Sequence, residues 1–257
     1  MVNVDDELGR RLADEGGDNL MRYSVRQAGA APAEISLLDC ELTAEGQNVR
    51  AATPLGEVTA VTGLIGRFNV DNTLACIATL AGLGLDRNQL DIAIKDLQPI
   101  PGRMEKFIAP GRPAAVVDFA HTEQALRACL GACREHTRAR LWCVFGCGGD
   151  RDQGKRSGMG RVVEDLADRA IVTDDNPRNE SPEKIVAEIL AGMQQPERAS
   201  VVHNRRAAIE YALNQAGADD LVVIAGKGHE QEQIYANERR PFSDRHVVGQ
   251  ILGVHRD

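Results

Sequence analysis

From residue 115 onward, short apolar runs rich in β-branched residues alternate with stretches of helical periodicity, an order that few folds accept. Strands are expected at Ala115 to Phe119, Leu141 to Phe145, Ala170 to Thr173, near Val201 and at Leu221 to Ala225. Helices are expected between them, over Thr122 to Glu135, Gly158 to Ala167, Pro182 to Met193 and Arg206 to Ala216. A last helix, Asp244 to Leu252, follows Ser243 as its cap. Ser181 before Pro182 is a helix start signal, and Gly217 just past a helix end is a stop. Each helix must carry the chain back to the edge where the previous strand began, so the fold class is α/β with a doubly wound, mostly parallel, Rossmann-like sheet. Such sheets bind ligands in the loops that follow the carboxyl ends of their strands.

Before residue 100 the pattern is different. Strands are expected at Glu34 to Leu42, Asn48 to Thr53 and Glu57 to Ile65, then helices at Asn69 to Leu83 and Asn88 to Leu97, a small α+β unit. Gln98-Pro99-Ile100-Pro101-Gly102-Arg103 suits neither helix nor strand and reads as a hinge. Two domains follow, residues 1–101 and 102–257.

With 43% hydrophobic residues in 257, both domains can bury a core. A net charge of -8 and a pI near 5.3 give no basic footprint for nucleic acid or an anionic membrane. No apolar run approaches the roughly 18 residues of a membrane span, and the first residues lack the basic and apolar regions of a signal peptide. The chain is expected to be cytoplasmic and monomeric. Its six cysteines lie mostly in apolar surroundings without a His or CxxC pattern, so they read as small buried side chains and no structural metal is expected.

Two loops at strand ends carry the chemistry. Thr173-Asp174-Asp175-Asn176-Pro177-Arg178 offers a guanidinium fork suited to a carboxylate, and Gly226-Lys227-Gly228-His229-Glu230 offers a carboxylate suited to an ammonium. Together they suit an amino acid. Gly149-Asp150-Arg151-Asp152-Gln153-Gly154-Lys155-Arg156 fits GxxxxGK but ends in Arg, where a phosphate-binding loop needs a hydroxyl for magnesium. Asp150 and Asp152 would also oppose phosphate oxygens, and the alternative is that the loop presents Arg151 and neighbouring charges at the rim of the cleft.

Asp118-Phe119-Ala120-His121-Thr122, the run Trp142 to Asp152, Asp-Asn-Pro-Arg at 175–178 and Ala225 to Glu230 together resemble the Mur ligases, in the branch that adds diaminopimelate. Gly66-Arg67-Phe68-Asn69-Val70-Asp71-Asn72 resembles the family's GxFNxxN segment, and Gly102-Arg103-Met104-Glu105 the GRME that opens its C-terminal domain. The resemblance implies that residues 1–101 are a truncated remainder of the central, ATP-binding domain and residues 102–257 the amino-acid-binding domain. It implies ATP-dependent amide formation through an acyl phosphate, with magnesium, joining meso-diaminopimelate to UDP-MurNAc-L-Ala-D-Glu. The family's GTNGKT-type P-loop and UDP-binding domain do not lie in these residues, so the chain alone is expected not to ligate. A non-catalytic diaminopimelate-binding fragment and an L-lysine-adding ligase are the alternatives.

The resemblance also implies residue roles. Arg151, Asp175, Asn176, Pro177, Arg178, Gly226 and Glu230 match positions that bind diaminopimelate. Asn72, Arg103 and Asp118 match positions for adenine, phosphate and ribose of ATP, and His121 and Thr122 a catalytic loop facing the transferred phosphate. Plainer roles stay open: Asn72 could make local bonds at a helix start, Asp118 could cap the following helix, and His121 could be buried. Lys227 and His229 could be the solvated tips of a tight turn. Glu123 stands where the family usually has Pro, and Ser157-Gly158 replaces its usual residues before Met159-Gly160.

Overall fold

The computed structural model describes residues 1–17, 20–26, 32–43, 45–95 and 97–254, and divides into two compact units, residues 1–98 and 99–257. The first unit opens with β1 (Val2–Asn3), α1 (Glu7–Glu15) and β2 (Arg22–Ser24), elements without a clear sequence signal. β3 (Ile35–Thr43), β4 (Gly46–Thr53) and β5 (Gly56–Thr62) follow, then α2 (Phe68–Gly82) and α3 (Arg87–Lys95). The sheet runs in chain order, parallel from β1 to β3 and antiparallel from β3 to β5. Alternate residues Val49 and Ala51 of β4, and Val58 and Ala60 of β5, face one core. Val70, Leu74, Ile77 and Ala78 close it from α2, at the spacing of one helical face, with Leu90 and Ile94 from α3.

The second unit contains β6 (Glu105–Phe107), β7 (Ala114–Asp118), α4 (Glu123–Glu135), β8 (Leu141–Phe145), α5 (Lys155–Leu166), β9 (Arg169–Val172) and α6 (Pro182–Leu190). It continues with β10 (Ser200–Val201), α7 (Arg205–Gln215), β11 (Leu221–Ala225), the hairpin β12 (Glu232–Tyr235) and β13 (Glu238–Pro241), and α8 (Asp244–Leu252). The six-stranded sheet has the order β10-β9-β8-β11-β7-β6, parallel throughout except for the antiparallel edge strand β6. This is the expected parallel α/β sheet.

All five residues of β8 and of β11 are buried, as expected of strands covered on both faces. Trp142, Val144, Val222 and Ile224 face the α7 and α8 side, packed on Ala208, Ile209, Ala212, Val247 and Val248. Their neighbours Cys143, Phe145 and Val223 point the other way and are equally buried. Ser181, Asn204 and Ser243 cap α6, α7 and α8 with side-chain oxygens. Cys129, Cys133, Cys143 and Cys147 are buried, and burial pushes the Cys147 thiol up to about 12.

The chain leaves β7 for β8, proceeds outward to β9 and β10, then returns as β11 between β8 and β7. That reversal opens a crevice, and the loops after β7, β8, β9 and β11 gather along one edge of the sheet.

Candidate functional site

The loop after β9 carries Asp174 to Arg178, and its path is set by the glycines that follow β8. A Cβ on Gly146 would lie 2.1 Å from the Thr173 carbonyl oxygen, and one on Gly149 would lie 1.8 Å from that of Pro177. Only residues without a side chain let the two loops lie this close. Gly149 N–H then donates to Asn176 O at 2.9 Å, and Arg178 Nη1 donates to Gly149 O at 2.8 Å.

The hairpin β12–β13 closes over the same loop. Arg178 N–H donates to Ile234 O, Ala236 N–H donates to Arg178 O, and Ile234 N–H donates to Asn176 Oδ1. Tyr235 OH donates to Asp174 Oδ2 at 3.0 Å, while His203 Nδ1 lies 2.8 Å from Asp174 Oδ1. Arg178 is held at φ 52° by these bonds, so its side chain leaves the backbone in a direction that an extended residue would not give. Its Nε and Nη2 have no partner among the described residues and can meet a ligand carboxylate.

Lys227 is not a solvated tip. It is fully buried, donating to Asn176 Oδ1 at 3.0 Å and to Glu230 Oε2 at 2.7 Å. Asn176 Nδ2 reaches the same Glu230 oxygen at 2.9 Å, which leaves Glu230 Oε1 without a partner among the described residues. Burial raises the Glu230 pKa, but the hydrogen bond and charge of Lys227, the Asn176 amide and the charge of Arg178 outweigh it and hold the carboxyl below its ordinary value. Asp175 is buried, and its carboxylate also has no hydrogen-bond partner among the described residues. Gly226, at φ 119°, gives it room: a Cβ there would lie 2.7 Å from Asp175 Oδ2. Thus Asp175, Arg178 and Glu230 present unsatisfied charge of both signs, while Asn176 and Pro177 are structural parts of the same loop.

Two further buried cations anchor the loops: Arg205 carried no signal in the sequence, and Arg156 was marked there only as a departure from the P-loop pattern. Arg205, fully buried at the start of α7, makes a two-bond pair with Asp244 of α8, 2.8 Å at each contact. Its Nη2 also donates to Ala225 O and its Nη1 to Asp174 O, so one guanidinium ties the ends of β9 and β11 together. Arg156 donates to both oxygens of Glu180 and to Glu188. Glu180 in turn accepts from Asp150 N–H and Gln153, which fixes the loop after β8. The Arg that departs from the P-loop pattern is therefore a buried rivet, and α5 starts at Lys155, three residues before the expected Gly158. Arg151 stands exposed at the rim of this loop.

The remaining expected residues, apart from Asn72, lie just before β6 or at the end of β7 and after it. Asp118 Oδ2 accepts from Met104 N–H and Oδ1 from Ala120 N–H, both at 2.8 Å, so it does not cap α4; Thr122 does, accepting from Ala125 N–H. His121 is exposed rather than buried, with Nδ1 2.7 Å from Phe119 O. The rings of His121 and His229 contact the Phe119 ring at 4.5 and 5.2 Å, and the Arg103 guanidinium lies over it at 4.5 Å. Lys155 Nζ donates to His121 O, adding a cation beside the cluster. Glu105 accepts from Gly102 N–H and from Arg245 of α8, which orients the segment bearing Arg103. Asn72 belongs to the first unit, exposed on α2 and donating to Asn69 Oδ1 at 2.9 Å, a local bond. No three His, Cys, Asp or Glu side chains gather as a metal-ligand set among the described residues.

Residues 102–228 match the family model for the Mur ligase, glutamate ligase domain. The chain is 43% identical over 256 residues to the UDP-N-acetylmuramoyl-L-alanyl-D-glutamate--2,6-diaminopimelate ligase of Alkalilimnicola ehrlichii, covering 98% of this chain and 51% of that protein. A solved structure of a ligase of the same name superposes with a TM-score of 0.73 at 35% identity, over 98% of this chain and 52% of the other. The folylpolyglutamate synthase of Thermotoga maritima, 17% identical with a TM-score of 0.65 over 88% of this chain and 56% of its own, shares the fold. The chain spans about half the length of the curated relatives it matches.

Proposed function

We propose that this chain, which belongs to the Mur ligase family, supplies the amino-acid-binding part of an enzyme that joins meso-diaminopimelate to UDP-MurNAc-L-Ala-D-Glu at the expense of ATP. The observation that carries the reading is the set of charges left unsatisfied at the carboxyl ends of β9 and β11: the outer edge of Arg178, Glu230 Oε1 and the Asp175 carboxylate. A zwitterionic amino-acid centre is their complement, with its carboxylate on the guanidinium and its ammonium on the carboxylates. Diaminopimelate has two such centres. One can be held here by Arg178, Glu230, Asp175 and Arg151 while the amine of the other attacks.

In the reaction that this reading assigns, the substrate carboxylate takes the γ-phosphoryl group of ATP, the amine attacks the resulting acyl phosphate, and phosphate leaves. Side chains then act mainly by position and charge. Arg103 and Lys155 supply positive charge that suits ATP phosphate oxygens and the transferred group, with the His121 ring and Thr122 Oγ beside them as hydrogen-bonding groups. Asp118, engaged by two backbone amides, is assigned to the ribose side and holds the Arg103 segment against β7. Asn72 is assigned to adenine. No metal is assigned to this chain's own residues, and magnesium ligands belong to the P-loop part of such ligases.

Calorimetric titration of the chain with meso-diaminopimelate and with L-lysine tests the amino-acid assignment. Lysine lacks the distal carboxylate and would leave the Arg178 edge desolvated and unpaired, a penalty of about 2–4 kcal/mol, or roughly 30-fold to 1000-fold in affinity. Binding of diaminopimelate alone, lost in Arg178→Ala, is expected. Equal binding of lysine, or binding indifferent to Arg178→Ala, would overturn the assignment.

A further inference from the structure

Lys227 has a feature that the charged rim residues lack: an ammonium with no solvent exposure at all, placed two residues beyond the end of β11. A buried ammonium must find acceptors, and two are present, Asn176 Oδ1 at 3.0 Å and Glu230 Oε2 at 2.7 Å. Asn176 is engaged on every side, since its Oδ1 also accepts from Ile234 N–H of the hairpin and its Nδ2 donates to Glu230 Oε2. Glu230 is thereby asymmetric. Oε2 takes two donors and Oε1 takes none, while its side chain remains 35% exposed.

From this geometry, and resting on the amino-acid reading above, we propose that Lys227 is a positioning residue of the site. Its ammonium clamps one oxygen of Glu230 inward and thereby presents the other, charged and fixed in direction, to the ammonium of the incoming amino acid. Three properties of the network support the assignment. Lys227 lies behind Glu230 and does not reach the surface, so it acts through the carboxylate rather than on a ligand. It joins the loop after β9 to the loop after β11 through Asn176, so the spacing of Arg178 from Glu230, which must match the carboxylate-to-ammonium distance of one amino-acid centre, depends on it. The remaining charged groups around Glu230, Arg178 and Asp175 on the loop after β9, Arg205 on α7 and exposed His229 on its own loop, make no direct hydrogen bond to it. Lys227 is thus the one cation in hydrogen-bond contact with Glu230 among the described residues.

The test uses the full chain with glutamate labelled at the carboxyl carbon, the Glu230 signal being identified by its disappearance in Glu230→Gln. The pH titration of Glu230 and the affinity for meso-diaminopimelate are measured in wild type, Lys227→Met and Lys227→Gln. Removal of the clamp is expected to move the Glu230 titration upward by about one pH unit or more, and to weaken diaminopimelate about tenfold or more at neutral pH. Lys227→Gln retains a donor without the charge, should lie between wild type and Lys227→Met, and carries the test if the methionine variant does not fold. Unchanged Glu230 titration in both variants would overturn the proposal, as would diaminopimelate affinity that does not change while the titration moves. If wild type binds no diaminopimelate yet the titration shifts on substitution, the link from Lys227 to Glu230 stands and the ligand assignment fails instead.

Discussion

Arg205→Met should destabilise the second unit by about 3–5 kcal/mol, because it leaves Asp244 as an unpaired carboxylate at a position with no solvent exposure. Burial alone would lower the Arg205 pKa, but the charge and hydrogen bonds of Asp244, with Asp175 and Glu230 beyond, reverse this and hold the guanidinium above its ordinary value. It is therefore charged whenever the protein is folded. The methionine fills most of the same volume, so the loss is electrostatic rather than a cavity. Replacing both partners with apolar residues, Arg205→Met with Asp244→Leu, removes the stranded charge and should recover more than half of the loss. What remains is the Ala225 carbonyl, which gives up the 2.9 Å bond from Nη2 and costs about 1–3 kcal/mol if left without a donor, and the 3.4 Å bond to Asp174 O, which keeps its donor from Gln233. The chain's single tryptophan, Trp142, sits buried on β8 of this unit, so its fluorescence in urea reports the unfolding of residues 99–257 rather than of the first unit. At a slope of about 2 kcal/mol/M, the midpoint of Arg205→Met should fall by roughly 1.5–2.5 M, with the slope unchanged. A single variant that costs under about 1 kcal/mol, or a double variant no more stable than the single, would refute this account of the pair.

Three other outcomes follow from the same geometry. Hydrogen bonds from Arg156 and the Asp150 amide, against a small opposing effect of burial, hold Glu180 at about 2, well below the ordinary carboxylate value of 4.5. A depressed folded pKa gives stability that is complete above the unfolded value and disappears as pH falls through the folded one. The stability gap between wild type and Glu180→Gln should therefore be constant above about pH 5 and close between about pH 4.5 and pH 2, followed by Trp142 fluorescence. Gly149→Ala places a methyl 1.8 Å from the Pro177 carbonyl oxygen, backbone against backbone, so one loop must shift; a loss of about 1–3 kcal/mol in urea unfolding and weaker diaminopimelate binding are expected. Wild-type values for both would mean that the two loops are not coupled. Arg178→Lys keeps the charge but loses the planar fork that reaches Gly149 O and a ligand carboxylate together, so calorimetry should give roughly tenfold to hundredfold weaker diaminopimelate binding.

How legible these features were in the sequence depends on what kind of signal each one leaves. Strands such as Leu221–Ala225 and Leu141–Phe145 are continuous apolar runs because a parallel sheet buries both faces, and their bounds can be read directly. The hairpin strands Glu232–Tyr235 and Glu238–Pro241 carry mostly polar residues and no core, so nothing in their periodicity marks them, although Asn176 and Arg178 owe their placement to this hairpin. Glu105–Phe107 is likewise too short for a period to appear. Charge leaves an even weaker trace. Arg156, Arg205 and Lys227 look in the sequence like any surface cation, and only the depth of each, at 1% exposure or less, separates them from Arg151 on the rim. Depth comes from the crossing of loops far apart in the chain: Lys227 is buried because the residues after β9 fold over the glycines after β8 to reach it. The residues that offer charge to a ligand were visible as types and positions, whereas those that aim that charge become visible only when the sheet has brought the four loops to one edge. Substitutions at Arg178 and Glu230 should therefore change what the site binds, while substitutions at Arg205, Arg156 and Lys227 should change how well the site is formed.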